Sequence, residues 1–247
     1  MLKKTCVVAA VPCAFIASLA SASPMVPGVV YTDATGDIAG GIATAGGTLD
    51  LVSMEVSSTT TDVIFKLTVN GNVGGTDWGK FMIGISTGAG DTSANGNGWG
   101  RPINMTSNGG MTRWVGSWVD SGGGSQLWDY SGSSWSGPGS LAGFAGAAGA
   151  QSTLTYTVSM ASLGVSNGST IYFDAYSSGG GGNDSAVDAL SRSDASIGNW
   201  GGPFTTAGIA AGTSASTAGG AFAYTIPAPG ALALLGAATL VGSRRRR

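Results

Sequence analysis

Asp62–Asn70 reads DVIFKLTVN, and its alternation decides the fold class. Val63, Phe65, Leu67 and Val69 fall on one side of an extended chain, while Lys66, Thr68 and Asn70 fall on the other. Leu154, Tyr156, Val158 and Met160 alternate in the same way with Thr153, Thr155, Thr157 and Ser159. Ile171, Phe173 and Ala175 alternate with Tyr172, Asp174 and Tyr176. A period of two marks strands with one buried and one wetter face. Leu49–Ser57, Lys80–Ser86, Met111–Val119, Gln126–Tyr130 and Ala221–Thr225 are further candidates. Gln126–Tyr130 is expected to pair with Ser134-Trp135 through a tight turn at Ser131-Gly132-Ser133. Short strands punctuated by Gly, Asn, Asp and Ser predict an all-β chain, a single antiparallel β-sandwich of jelly-roll or immunoglobulin-like kind over residues 23–204. Met160–Leu163 reads as at most one helical turn. Residues 205–225 are rich in Gly, Ala, Ser and Thr, an exposed loop or linker before Ala221–Thr225.

Composition narrows the chemistry. Of 247 residues, 44 are Gly and 8 are Pro, together about a fifth and below the roughly 25–30% that signals disorder. A hydrophobic fraction of 43% and seven Trp require a core. Charged residues make up 10%, too few for a coiled coil or a charge-laced helical protein. The absence of His removes Ser-His-Asp and Cys-His catalysis and every His-ligated metal. A glycosidase needs two positioned carboxylates, yet Glu55 is the one glutamate and no Asp pair stands out. Gly179–Gly182 lacks the Lys-Ser/Thr of a phosphate loop. A non-catalytic protein is the expectation.

The two ends differ from the body. Lys3-Lys4, an apolar run from Val7 to Ala20 and Ala20-Ser21-Ala22 form the pattern of a secretory signal peptide over residues 1–22. Pro12 interrupts the run, which is shorter than the roughly 20 residues of a membrane span. Cleavage after Ala22 would remove Cys6 and Cys13, leaving a mature chain without thiols. At the other end come Ile226-Pro227-Ala228-Pro229-Gly230, the apolar ALALLGAATLV of Ala231–Val241, and Arg244–Arg247. A hydrophobic helix is expected there, with the arginines resisting translocation. The body between holds five basic residues against all thirteen acids, a formal charge of −8, which disfavours nucleic acid. The tail, residues 226–247, resembles the PEP-CTERM sorting signal of exosortase-processed bacterial proteins, with Ala228 where that family has Glu. The resemblance implies sorting roles for Pro227, Ala228, Pro229, Arg244, Arg245, Arg246 and Arg247. It also implies an exosortase-type processing enzyme as partner, a transient membrane anchor, and a cell-surface or extracellular destination.

Within the body, Tyr31-Thr32-Asp33 with Gly36-Asp37, the pair Leu49–Ser57 and Asp62–Val69, and Tyr156–Tyr176 follow one another in an order that resembles family 9 carbohydrate-binding modules and DOMON-type domains. The resemblance implies a binding or structural module. Aromatics gather between Trp99 and Trp135: Trp99, Trp114, Trp118, Trp128, Tyr130 and Trp135. Exposed rings stack on the C–H faces of sugars, whereas buried ones fill a core. Trp114 and Trp118, four apart, share a strand face. The candidate ligand-binding set is Trp99, Arg101, Trp114, Trp118, Trp128 and Trp135, with Asn95, Asn97 and Asn104 as hydrogen-bond donors to polysaccharide hydroxyls. Asp33, Thr35 and Asp37 offer oxygens at alternate positions, a pattern calcium uses and an Asx-stabilised turn explains more simply. Asn183, Asp184 and Asp188, and Asp91 with Asn95, are weaker sets of that kind. A polysaccharide-associated surface protein is one reading; a self-associating matrix or coat protein without a ligand is the other.

Overall fold

The computed structural model describes residues 26–38, 42, 47–75, 78–193, 199–209 and 220–228. The expected signal peptide, most of the expected tail and both flanking helices lie outside these residues. The strands in chain order are β1 (Val26–Thr32), β2 (Leu51–Ser58), β3 (Asp62–Asn70), β4 (Lys80–Ser86), β5 (Ile103–Met105), β6 (Arg113–Trp118), β7 (Gly124–Tyr130) and β8 (Trp135–Gly139). They continue with β9 (Gly143–Ala147), β10 (Gln151–Ser159), β11 (Thr170–Ser178), β12 (Asp188–Ala189), β13 (Phe204–Thr206), β14 (Gly208–Ile209) and β15 (Gly220–Thr225). The four-residue helix α1, Met160–Leu163, is capped by the Ser159 hydroxyl, which accepts the Ser162 N–H, and closed by left-handed Gly164. No helix among the described residues is long and apolar enough to cross a membrane.

The first sheet runs β1-β2-β3-β10-β9, antiparallel throughout. The second runs β14-β15-β11-β4-β6-β7-β8, with β12 also on β11. The all-β, antiparallel expectation describes these sheets, apart from two short parallel pairs, β5–β13 and β14–β15.

Alternation sets which side chains meet. In β3, Val63, Phe65, Leu67 and Val69 are fully buried, and in register they face Val158, Tyr156, Leu154 and Ser152 of β10. The second sheet turns Phe81, Ile83, Ile85, Val115, Leu127, Phe173 and Phe222 into the same apolar layer. Rings cross between the sheets: Phe65 to Phe173 at 5.6 Å and Tyr31 to Phe173 at 5.0 Å, both edge-on, the geometry that aromatic quadrupoles favour. Hydroxyls inside this layer have partners, as burial demands. Tyr156 and Ser117 are hydrogen-bonded at 2.8 Å, and Tyr31 donates to the Ala223 carbonyl at 2.8 Å.

The outer face of the second sheet corrects the simple picture of one wet face per strand. Asp174 and Tyr176 of β11 are fully buried. Met82, Trp114, Tyr176 and Ala221 form a second apolar layer with Ile103, Met105, Met111 and Phe204. The segment from Thr87 to Met111 and β13, which reaches into the expected linker, supply the cover; Phe204 and Thr206 of β13 are buried. The β5–β13 pair ties the two pieces together. Asp174 tolerates burial because it accepts hydrogen bonds from Ala175 N–H, Ser191 N–H, Ser191 Oγ–H and Thr206 Oγ–H.

Candidate functional site

On the outer face of β6 and β7, three indoles meet at the edge of this second layer. Trp114, Gly116 and Trp118 alternate outward along β6, and Gln126 and Trp128 do so along β7, with Gly116 opposite Gln126 in register. Two glycines make room for rings to lie close against the sheet. A Cβ on Gly116 would overlap the six-membered ring of Trp99, and one on Gly124 would overlap that of Trp118. Trp128 packs in the same manner against Gly98. Gln126 clamps two of the rings, its Oε1 accepting from Trp99 Nε1 at 2.9 Å and from Trp128 Nε1 at 3.1 Å. The result is a cleft of about 490 Å3 lined by Trp99, Trp118, Trp128, Gln126, Lys80 and Arg101. The three indoles are half-buried, so each is held in place yet keeps accessible surface. Lys80 borders the cleft with its ammonium held by Asp120 and the Trp78 carbonyl, both at 3.0 Å.

The six residues expected to bind ligand therefore separate. Trp99, Trp118 and Trp128 come together in the cleft. Arg101 is only 4% exposed, and its Nη1 donates to Ser178 Oγ, the Asp184 carbonyl and the Gly179 carbonyl. Its guanidinium carbon sits 5.4 Å from the Trp99 ring centroid, so it supports that ring from below. Burial lowers the Arg101 pKa, and the Asp184 charge opposes the shift. Trp114 is fully buried, stacked on Tyr176 with centroids 6.0 Å apart, and is core because the Thr87–Met111 segment covers it. Trp135 sits with Tyr130 and donates to Asp91 Oδ2 at 2.9 Å, outside the cleft. The expected polar donors are corrected as well. Asn97 is buried and donates to the Arg101 and Ile103 carbonyls, Asn104 is buried with its Oδ1 accepting from Thr205 Oγ, and Asn95 alone of the three is exposed. Sequence reasoning passed over Gln126 and Lys80. Gln126 was within reach, since two residues before Trp128 on a strand means the same face.

A second cluster lies where the turn after β1 meets β12. Carboxylate oxygens of Asp33, Asp37 and Asp188 lie within 4.8 Å of one another. Thr35 is exposed, and Asp188, from far along the chain, joins Asp33 and Asp37. Of the weaker sets, Asp184 caps its own turn by accepting the Gly181 N–H, and Asp91 accepts from Ser93 and Trp135. Asp50 adjoins the cluster, its Oδ2 accepting from Gly36 N–H and Asn70 Nδ2, each at 2.9 Å. Asp188 accepts from Leu51 N–H at 2.6 Å and Ala189 N–H at 2.8 Å. Burial pushes the Asp33 carboxyl up to about 11, with Asp188 and Asp37 adding repulsion. Burial likewise holds Asp188 well above the ordinary carboxylate range, with Asp37 the next cause.

Fold and cleft together define an all-β protein with two mainly antiparallel sheets and an aromatic cleft on one outer face. No protein-family model, no curated protein and no solved structure matches the chain.

Proposed function

We propose that this chain is an exported bacterial surface or extracellular-matrix protein whose β-sandwich body holds polysaccharide without catalysis in the Trp99–Trp118–Trp128 cleft. Delivery follows from the PEP-CTERM-like tail, with Pro227–Pro229 as the recognition element for an exosortase-type enzyme, the apolar run as transient anchor and Arg244–Arg247 as the stop. One observation carries the binding reading: three half-exposed indoles from separate stretches of chain converge on one cleft, two of them fixed by hydrogen bonds to Gln126 and the third packed against Gly124. Flat apolar faces match the C–H faces of pyranose rings, and clamped rings lose little entropy on binding. The net negative body favours neutral over strongly anionic glycans, by simple repulsion.

Affinity electrophoresis and a glycan panel, including polysaccharide from the producing cells, test this. The wild-type chain is retained, and Trp118→Ala weakens retention about tenfold, the equivalent of about 1.4 kcal/mol. Lack of retention on every glycan would sink the proposal.

A second reading, self-association, rests on a separate observation. β9 ends the first sheet, and residues 130–173 contain no charged side chain. Gly143–Ala147 is half-buried to exposed and has neither Pro nor charge to block pairing with another strand.

A further inference from the structure

We infer that Asp33, Asp37 and Asp188, supported by Asp50, form a calcium site that locks the turn after β1 onto β12. The distances suit one cation. Ligand oxygens around calcium, at about 2.3–2.6 Å from the ion, are at most about 5 Å apart. The three carboxylates meet that limit, with oxygens within 4.8 Å of one another. They come from two distant stretches of chain, so one ion would join them.

The second observation is Asp50. It is 3% exposed, and its Oδ1 has no hydrogen-bond partner among the described residues. Its other oxygen holds the N–H of Gly36, the residue before Asp37, while the next residue, Leu51, donates its N–H to Asp188. Asp50 is thereby fixed between the two halves of the cluster, and its charge is felt at Asp188. Asp33 Oδ2 is likewise shielded from water without a hydrogen bond. Among the described residues, the charged neighbours acting on Asp33 and Asp188 are aspartates: Asp37, Asp174 and Asp188 on the first, Asp37 and Asp50 on the second. Buried carboxylates need a proton or a cation, and oxygen-only donors select a hard one. The small magnesium ion holds its waters and suits this multi-carboxylate pocket less well.

Calorimetric titration of the full-length chain with calcium chloride, after EDTA treatment, tests the site together with thermal melts. Wild type binds one calcium per chain, and its Tm rises by several degrees in millimolar calcium and much less in magnesium. Asp33→Asn loses at least tenfold in calcium affinity. In EDTA the same variant melts at or above the wild-type temperature, because asparagine is neutral among the remaining carboxylates without needing a proton or a cation; with calcium it melts below wild type. That reversal separates a metal ligand from a merely structural carboxylate, whose loss would lower Tm in both buffers. Wild-type melting curves that coincide in EDTA and calcium, with no binding heat, would overturn the inference. So would Asp33→Asn binding calcium as wild type does. Glycan retention is a separate readout, so failure here leaves the cleft proposal standing and the reverse also holds.

Discussion

Replacing Gly116 by alanine probes how the cleft is built, independently of what it binds. The added methyl overlaps Cζ2, Cε2 and Cη2 of Trp99. The backbone cannot yield easily, because Gly116 is paired in register to Met82 on one side and Gln126 on the other. The ring must therefore move. It gives up its 2.9 Å hydrogen bond to Gln126, its position 5.4 Å from the Arg101 guanidinium and its edge contact with Trp114 at 6.2 Å. A hydrogen bond contributes about 1 kcal/mol, the cation–π contact about 0.5–1 and the aromatic pair about 0.5–1.5. Alanine returns about 0.5–1 kcal/mol, since glycine is the costlier residue in a strand. The net expectation is a loss of about 1–3 kcal/mol, a fall in the urea midpoint of about 0.5–1.5 M at a slope near 2 kcal/mol/M. Urea denaturation followed by tryptophan emission measures it, and the emission maximum of the folded variant moves to the red as Trp99 becomes wetter. Gly88→Ala is the control, since a Cβ there meets no atom within 4 Å. If Gly116→Ala matches wild type in both midpoint and emission, the account of the cleft is wrong.

Two other expectations concern distant parts of the molecule. Burial raises the Asp174 carboxyl from 3.8 to about 7, although hydrogen bonds from Thr206, Ser191 and Ala175 pull the other way. The native state thus holds this proton more tightly than the unfolded chain, so the contribution to stability is full below about pH 4 and lost as pH rises through about 7. The difference is about 4 kcal/mol at most, and Asp174→Asn should flatten that part of the pH profile in urea melts run with EDTA; equal slopes for variant and wild type would refute it. On the edge strand, Ala145→Lys places a charge in the uncharged, exposed β9 and should abolish concentration-dependent assembly in sedimentation velocity, whereas assembly unchanged by the lysine would remove β9 as the contact.

How far the sequence could be read depends on the element. β3, β10 and the inward half of β11 were legible because strict alternation of large apolar and small polar residues has one extended solution. The β7–β8 hairpin was legible as well, and Tyr130 pairs with Trp135 around the expected turn. β9 was not, since Gly-Phe-Ala-Gly-Ala carries almost no hydrophobic signal. β5 and β13 were not, because three-residue strands are defined by their partner and not by their own composition. At the site, alternation placed Trp114 and Trp118 on one face, but could not tell that a distant segment buries the first and leaves the second at the rim.

The sequence by itself determined the strand class, the side of each main strand that enters the shared core, the acidic character of the body and the narrowing of its chemistry by the lack of histidine. These are local or additive properties, fixed by side-chain size, period and charge. The tertiary structure alone decided what covers the outer face of the second sheet, and so which indoles are core and which line a cleft. It also brought Asp188 beside Asp33 and Asp37. Such outcomes rest on contacts between residues far apart in the chain, whose energies depend on the packing of everything between them.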